Sequence, residues 1–342
     1  MITVISDIPA YAFLSALSEL VFSTDRESAV VIFSQGGDDI FNERLYPDSS
    51  GTIRVRELDQ LLEPYLTANL IDSFSYSIND GYSTRESQFK VQYCTVEVPY
   101  SASTFTDEYY LSPLMGEKIT AMGRKEFLHL VCAASCKVTV ECCYLMNVTT
   151  TVETNELKTI TELNKVVTLD VSPSNFEKEH WKLLSYCVKT GNRKQMFVVD
   201  HRSTEAAPCL LFTNSFGCQE TIYCTGTHQA APDYTRNTAL VDGKFKNYKI
   251  DENRVFKAST GILNTHMANW ADDLFRSKEV YLMENSAPGK EITITDSKSE
   301  RSNNPDALPN FSFEYRYAQR NHNILQFGAG RVFDNTFDQT FG

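Results

Sequence analysis

A seven-residue segment near the end of the chain, Phe311 to Tyr317, constrains the fold more than any other part of the sequence. Aromatic residues stand at every second position, and Ser, Glu and Arg occupy the positions between them. Successive side chains of a β-strand point to opposite faces, so this alternation predicts a strand with one buried face and one solvated face. A helix would mix the two kinds of residue on each face. The chain is therefore expected to build a sheet that packs one face against a core.

Short apolar runs separated by turn residues recur along the rest of the chain. The 342 residues include 21 Phe and 17 Tyr, a composition that favours strands over helices. Turn sequences such as Gly-Gly-Asp-Asp and Asn-Asp-Gly separate the runs. A chain of this length is expected to hold more than one core. The predicted fold class is all-β and mainly antiparallel, with tandem β-sandwich-like modules and a few short helices.

Composition divides the chain into successive units. Two helices are predicted from apolar residues spaced three and four apart, and a stretch rich in Ser, Thr, Tyr and Pro is interpreted as a connection. The predicted divisions are a first module over residues 1–98 with a covering helix over 56–65, a linker over 99–116, a second module over 117–206, a third unit over 207–319 with a helix over 264–276, and an extended tail over 320–342.

The stretch from Met196 to Gly226 is interpreted as the structural junction between the second and third units. It contains Asn214–Gly217, a predicted corner in which Gly217 supplies a backbone conformation that other residues avoid.

The nine cysteines lack the repeated Cys-x-x-Cys spacing of structural zinc sites, so they are predicted to be free, mostly buried thiols. His129, next to Leu128 and Leu130, is interpreted as a hydrogen-bonded sheet residue. We predict no metal site and no cofactor.

The charge and the missing motifs exclude several classes of function. The net charge is -12, and no basic run is present that would bind nucleic acid. No apolar run is long enough to span a membrane. The first residues lack the features of a secretory signal, so synthesis in the cytoplasm is expected. Adjacent carboxylates such as Asp38-Asp39 are interpreted as solvated turns, and we predict no catalytic residues and no enzyme.

The last fifteen residues contain a small repeat, Phe-Asp-Asn-Thr followed by Phe-Asp-Gln-Thr. It places Phe333, Phe337 and Phe341 four residues apart, and three exposed aromatic rings are unfavourable in water. The functional interpretation is a hook that contacts a neighbouring subunit. The alternative is that the tail packs on its own chain or is disordered.

Tyrosines in loop-like segments allow a second interpretation. Tyr109 and Tyr110 lie in the predicted linker, where aromatic rings would form a platform for a sugar. Carbohydrate binding therefore stays open as an alternative function.

Three sequence features together resemble structural proteins of phages and prophages of gut bacteria, namely virion or tail-type components built from tandem β-sandwich modules. These features are Leu45-Tyr-Pro-Asp-Ser-Ser-Gly-Thr-Ile with the following leucine helix, Leu210-Leu-Phe-Thr-Asn-Ser-Phe-Gly, and the Phe-Asp-x-Thr-Phe tail. The resemblance implies a non-enzymatic structural protein without a cofactor, held in a homo- or hetero-oligomeric assembly by contacts with other protein subunits and incorporated into a virion. It implies no catalytic residue.

Overall fold

The strands lie in three successive groups, each with its own hydrophobic core. The computed structural model describes residues 1–202, 208–284, 286–300 and 308–319. Most neighbouring strands run antiparallel, and the described helices are few and short. The predicted all-β class with tandem sandwich-like modules is therefore confirmed.

The first unit is a sandwich of two sheets. Its elements are β1 (Thr3–Ser6), β2 (Tyr11–Phe13), β3 (Leu20–Ser23), β4 (Ala29–Gln35), β5 (Asp38–Leu45), β6 (Thr52–Val55), α1 (Leu58–Leu66), β7 (Ile71–Asn79) and β8 (Thr84–Gln92). A sheet in the order β1-β3-β6 faces a sheet in the order β2-β8-β7-β4-β5 across one core. Helix α1 confirms the predicted covering helix, because it buries Leu58, Leu62 and Leu66 against that core.

The segment over residues 99–116 is not a linker, which corrects the prediction. It contains α2 (Ala102–Glu108), whose first turn is capped by Ser101, the Oγ of which accepts a hydrogen bond from the Thr104 N–H at 3.2 Å. Phe105 and Leu111 are buried in a cluster that also includes residues of all three units. The Ser- and Thr-rich composition belongs to a capped, buried helix.

The second unit is also a two-sheet sandwich. Its strands are β9 (Lys118–Ala121), β10 (Phe127–Val131), β11 (Cys136–Met146), β12 (Thr149–Ile160), β13 (Val166–Asp170), β14 (Lys182–Thr190) and β15 (Arg193–Asp200). Strands β10 and β13 pair with each other, and the second sheet has the order β12-β11-β14-β15-β9. The buried faces of both sheets share one core. The β-branched tract at Thr149 begins the outer strand β12, which is the second arm of a hairpin with β11.

The third unit is built on one large sheet covered by helices. Its elements are β16 (Cys209–Thr213), β17 (Gln219–Tyr223), β18 (His228–Val241), β19 (Lys244–Ser259), α3 (Thr265–Trp270), α4 (Asp272–Arg276), β20 (Val280–Glu284), β21 (Ala287–Lys298) and β22 (Ser312–Tyr317). The sheet order is β17-β16-β20-β21-β22-β19-β18. The helix predicted over 264–276 is present as α3 and α4, which meet at Ala271.

The alternating segment at the end of the chain forms β22, as predicted. Phe313, Tyr315 and Tyr317 are buried, whereas Ser312 and Arg316 are exposed. The buried aromatic face packs in the same core as Trp270 of α3. The predicted tail contacts Phe333, Phe337 and Phe341 lie outside the described residues.

Candidate functional site

Strands β18 and β19 form a long hairpin, residues 228–259, that we call the arm. The turn at its tip contains Asp242 and Gly243, with φ of 52° and 72°. Positive φ at both central residues is what a type I′ turn requires, and this turn fits the twist of the two strands. Among the described residues, β22 pairs with β19 only along Phe256–Ser259, at the base of the arm. At ~3.3 Å per residue, β19 extends roughly 35 Å beyond that contact.

Beyond its base, the arm is a two-stranded ribbon in the described structure. Strand β18 stands at the end of the seven-stranded sheet, and β19 is its neighbour there. Pro232 lies within β18, a residue that cannot donate a backbone hydrogen bond and is found on edge strands. All residues from 241 to 250 are exposed. An unpaired strand edge of this length can accept another strand or chain.

The two faces of the arm differ in character. Leu240 stands opposite Phe245, and Arg236 stands opposite Ile250 on the same face. The exposed fractions are 64% for Leu240, 81% for Phe245 and 54% for Ile250. The opposite face presents three lysines near the tip, Lys244, Lys246 and Lys249. The arm is therefore an amphipathic ribbon whose apolar face is not covered by any of the described residues.

The arm also differs in charge from the rest of the chain. Residues 228–259 contain six Lys or Arg and four Asp or Glu, so the arm carries +2. The whole chain carries -12, and the remainder therefore carries -14. Opposite net charges favour contact between an arm and the rest of another molecule.

The Asp242-Gly243 pair is a local sequence signal for the hairpin turn of the arm, although the predicted units do not include a hairpin there. Asp-Gly flanked by alternating residues is the strongest short-range signal of a hairpin. In the strands beside this turn, the apolar residues Leu240, Phe245 and Ile250 alternate with polar residues that include the lysines. Any half-buried strand shows the same pattern. The sequence does not reveal that the apolar face is exposed.

The corner at Asn214–Gly217, within the stretch predicted to join the second and third units, contacts the first unit and the segment over residues 99–116. The Asn214 Nδ2 donates to the Leu111 carbonyl oxygen at 2.9 Å. The Ser215 N–H and hydroxyl both donate to the buried Asp273 carboxylate at 2.7 Å, and the Thr95 N–H donates to the Ser215 carbonyl oxygen. Gly217 has φ of 75°, and a Cβ there would lie 2.4 Å from Leu70 Cδ2. The corner requires glycine for both reasons.

A second polar cluster, also buried, joins the second unit to the third. The Lys118 Nζ lies 2.6 Å from the Glu126 Oε2, and both side chains are buried. The Trp270 Nε1 donates to the Glu220 Oε2 at 2.6 Å, and the Lys118 ammonium lies 4.7 Å from the centre of the Trp270 ring. Burial raises the pKa of the Glu220 carboxyl, and the nearby Lys118 charge opposes that rise. The cluster is a buried electrostatic contact between units.

His129 belongs to the same boundary, and its predicted role as a hydrogen-bonded sheet residue is confirmed. Its Nε2 lies 2.7 Å from the Gln219 carbonyl oxygen and its Nδ1 lies 3.0 Å from the Thr168 hydroxyl. A carbonyl oxygen only accepts, so the neutral ring carries its proton on Nε2 and accepts from Thr168 on Nδ1. Burial, with a smaller effect of the Lys118 charge, lowers the pKa of His129 to about 4.

The two predicted platform tyrosines have different environments, which corrects the expectation that both lie on an exposed loop. Tyr110 is only 4% exposed, and its hydroxyl lies 3.0 Å from the Thr190 hydroxyl. Tyr109 is half-buried, with its ring centre 5.8 Å from that of the exposed Tyr100. Tyr109 lies on the wall of a groove of about 560 Å³ that also includes Asn192. Tyr110 also lines this groove, but Tyr109 is the more exposed of the two rings.

The described residues offer no group of three or more His, Cys, Asp or Glu side chains arranged to hold a metal ion. All nine cysteines are unpaired, and six of them are buried. Within the described ranges, no helix is long and apolar enough to cross a membrane.

Comparison with known proteins gives little beyond these observations. No family model matches the chain, and no curated protein sequence matches it. One similar solved structure is a substructure of titin, which is 8% identical and covers 58% of this chain and 98% of its own, with a TM-score of 0.22. Another is a fragment of the titin I-band, 8% identical, covering 75% of this chain and 92% of its own, with a TM-score of 0.19. Likeness at these scores supports no conclusion about function.

Proposed function

We propose that the protein is a non-enzymatic assembly protein whose arm docks on the body of a second copy of the chain. The observation that carries the proposal is the uncovered apolar face of the arm, formed around Leu240, Phe245 and Ile250. Contiguous exposed apolar patches on soluble proteins mark interaction sites, because burying them removes apolar surface from water at about 25 cal/mol per Å².

The charge distribution supports a second copy as the partner. The +2 of the arm meets a remainder of -14 in another copy, so the local contact is attractive within about a Debye length, whereas two whole copies of -12 repel at longer range. The lysines near the tip lie on the face opposite the apolar residues. One face of the arm can therefore bury apolar surface while the other meets acidic groups.

The resemblance to phage and prophage structural proteins supports a place for this assembly in a phage-like particle, as a virion or tail component. Such a component acts through subunit contacts and needs neither a cofactor nor a catalytic residue. Its synthesis in the cytoplasm, before incorporation into a particle, belongs to the same proposal.

Replacing Phe245 by serine tests the proposal in the full-length chain. We expect the unmodified protein to gain mass with concentration in sedimentation velocity, and Phe245→Ser to raise the dissociation constant of self-association by about tenfold or more. The Val148→Ser variant is the matched control, since Val148 is 94% exposed at another hairpin turn. It should associate like the unmodified protein.

Two results would reject the arm as the docking element. One is a protein that stays monomeric at every concentration, and the other is a Phe245→Ser variant that associates as strongly as the unmodified chain. Sedimentation with vesicles of anionic lipid serves as a further part of the test. Binding of the arm to vesicles without self-association would assign the ribbon to a membrane surface instead.

Carbohydrate binding is the second candidate function, and the groove beside Tyr109 favours it. Asn192, Lys194 and Glu108 line that groove with polar groups near a tyrosine ring, a combination that suits a sugar. If the groove binds glycans, Tyr109→Ala should abolish binding on a glycan array, whereas Tyr82→Ala, at an exposed tyrosine of the first unit, should leave binding intact. An unmodified protein that retains no glycan on the array would exclude this candidate.

A further inference from the structure

Two cysteines of the second unit lie unusually close together. The Cys132 Sγ and the Cys136 Sγ are 3.1 Å apart. A disulfide bond is ~2.05 Å long, so a movement of roughly 1 Å would bring the two atoms to bonding distance. Cys132 directly follows β10, and Cys136 begins β11. The pair therefore spans the connection between the two sheets of the sandwich.

The backbone around the pair is held from both sides. The Cys132 carbonyl oxygen accepts from the Asn164 N–H at 2.9 Å, and the Ser135 hydroxyl donates to the Ile160 carbonyl oxygen at 2.8 Å. The Arg193 guanidinium donates to the Val131 carbonyl oxygen at 2.7 Å. These contacts hold the backbone on both sides of the cysteine pair.

The two thiols differ in access. Cys132 is 2% exposed, whereas Cys136 is partly exposed beside the exposed residues 133–135. Burial raises the pKa of the Cys132 thiol to about 12. The thiolate is the reactive species, so Cys136 is the one that a dissolved reagent meets first and Cys132 is the one that reacts second.

We propose that Cys132 and Cys136 are a redox-active pair that closes to a disulfide when it meets a small-molecule disulfide such as oxidised glutathione. In the first step the Cys136 thiolate attacks one sulfur of the oxidant and releases one glutathione thiolate. In the second step the Cys132 thiolate attacks the Cys136 sulfur and releases the other. The pair loses two electrons and two protons, and the oxidant becomes two thiols.

The bond would join the end of β10 to the start of β11 and so tie the two-stranded sheet to the five-stranded sheet. Because the closed loop is short, the stabilisation is modest, and the expected rise in Tm is roughly 3 °C. Because the Cys132 thiolate is scarce near neutral pH, oxidation should be slow there and should accelerate as the pH rises. This proposal is independent of the arm and of the proposed function.

Peptide mapping of the full-length protein tests the pair directly. The reduced protein is incubated with oxidised glutathione, alkylated and digested with trypsin. The tryptic peptide Glu126–Lys137 contains both cysteines and no other. We expect it to lose the mass of two hydrogens and to escape alkylation, and to regain both alkylation sites after treatment with a reducing agent.

Two variants keep the test decisive. Cys132→Ala should trap Cys136 as a stable mixed disulfide with glutathione, because the second thiol is missing. Cys143→Ser, at another partly exposed cysteine on β11, should leave disulfide formation unchanged. The proposal is overturned if the unmodified protein keeps both thiols reduced, or if it accumulates the mixed disulfide at Cys136 without closing the bond.

Discussion

Replacing Lys118 by methionine is expected to lower the free energy of unfolding by about 3–5 kcal/mol. The Lys118 ammonium lies 2.6 Å from Glu126, and the two side chains are 4% and 0% exposed. Methionine keeps much of the length of the side chain but removes the charge, and the Glu126 carboxylate is then buried without its counter-charge. Burial of an unpaired charge is among the largest single-site costs in a folded protein. Denaturant unfolding measures the loss.

Two further variants serve as controls for the Lys118→Met result. Lys137→Met removes an exposed lysine that pairs with Glu156, and little change is expected because water screens that pair. The double variant Lys118→Met with Glu126→Leu should recover much of the stability lost in the single variant, since both charges leave the interior together. Equal losses in Lys118→Met and Lys137→Met would mean that losing the buried Lys118–Glu126 pair costs no more stability than losing an exposed pair.

Acid is expected to destabilise the protein partly through His129. Its pKa is lowered to about 4 by burial, against about 6.5 in the unfolded chain. Below pH 6.5 the unfolded state therefore binds a proton at His129 that the folded state does not bind. The free energy of unfolding falls as the pH drops toward 4. The contribution of this one residue over that window is about 3 kcal/mol. His129→Gln, which cannot gain the proton, should lose that part of the pH dependence.

The measurement is the difference in unfolding free energy between pH 7 and pH 4, compared between the unmodified protein and the variant. Carboxylates contribute to the same difference, so the comparison between the two proteins is the informative quantity. His180→Gln is the control, because the His180 side chain is 83% exposed and meets water in both states. The same pH dependence in His129→Gln and His180→Gln would show that His129 does not contribute to acid sensitivity.

The strands that build the cores could be predicted because their signal is local. The alternation at Phe311–Tyr317 has the period of a strand, and the structure buries Phe313 and Tyr315 as that period requires. Helix α1 was equally accessible from its leucine spacing. In each case one buried face is enough to specify the element, whatever packs against it.

The segment over residues 99–116 could not be predicted in this way because its helix depends on distant residues. Helix α2 has only seven residues, several of them Ser or Thr with weak helix propensity. Phe105 holds it in place by packing on Phe13 and Phe216, with ring centres 5.6 and 5.1 Å apart. Those partners come from the first and third units, and no pattern within the segment reveals them.

The candidate sites depended even more on three-dimensional context. Lys118 and Glu220 are more than a hundred residues apart in the chain, and only the fold brings their charges together. Tyr110 belongs to a sequence that is typical of a loop, yet the structure buries it. The arm has a local hairpin signal at Asp242-Gly243, but whether its apolar face is covered depends on what packs against that face, and how far its edge is paired depends on where β22 ends. Strand patterns predict which residues share a face, not what that face meets.

The most direct test of the proposed assembly is zero-length cross-linking of a mixture of isotopically heavy and light chains. A carbodiimide joins lysine amines to carboxylates that touch them. If the arm of one copy docks on the body of another, mixed heavy and light cross-linked peptides should join Lys244, Lys246 or Lys249 to carboxylates outside residues 228–259. Cross-links confined to peptides of a single label, at concentrations where the protein is soluble and folded, would contradict docking of the arm on a second copy.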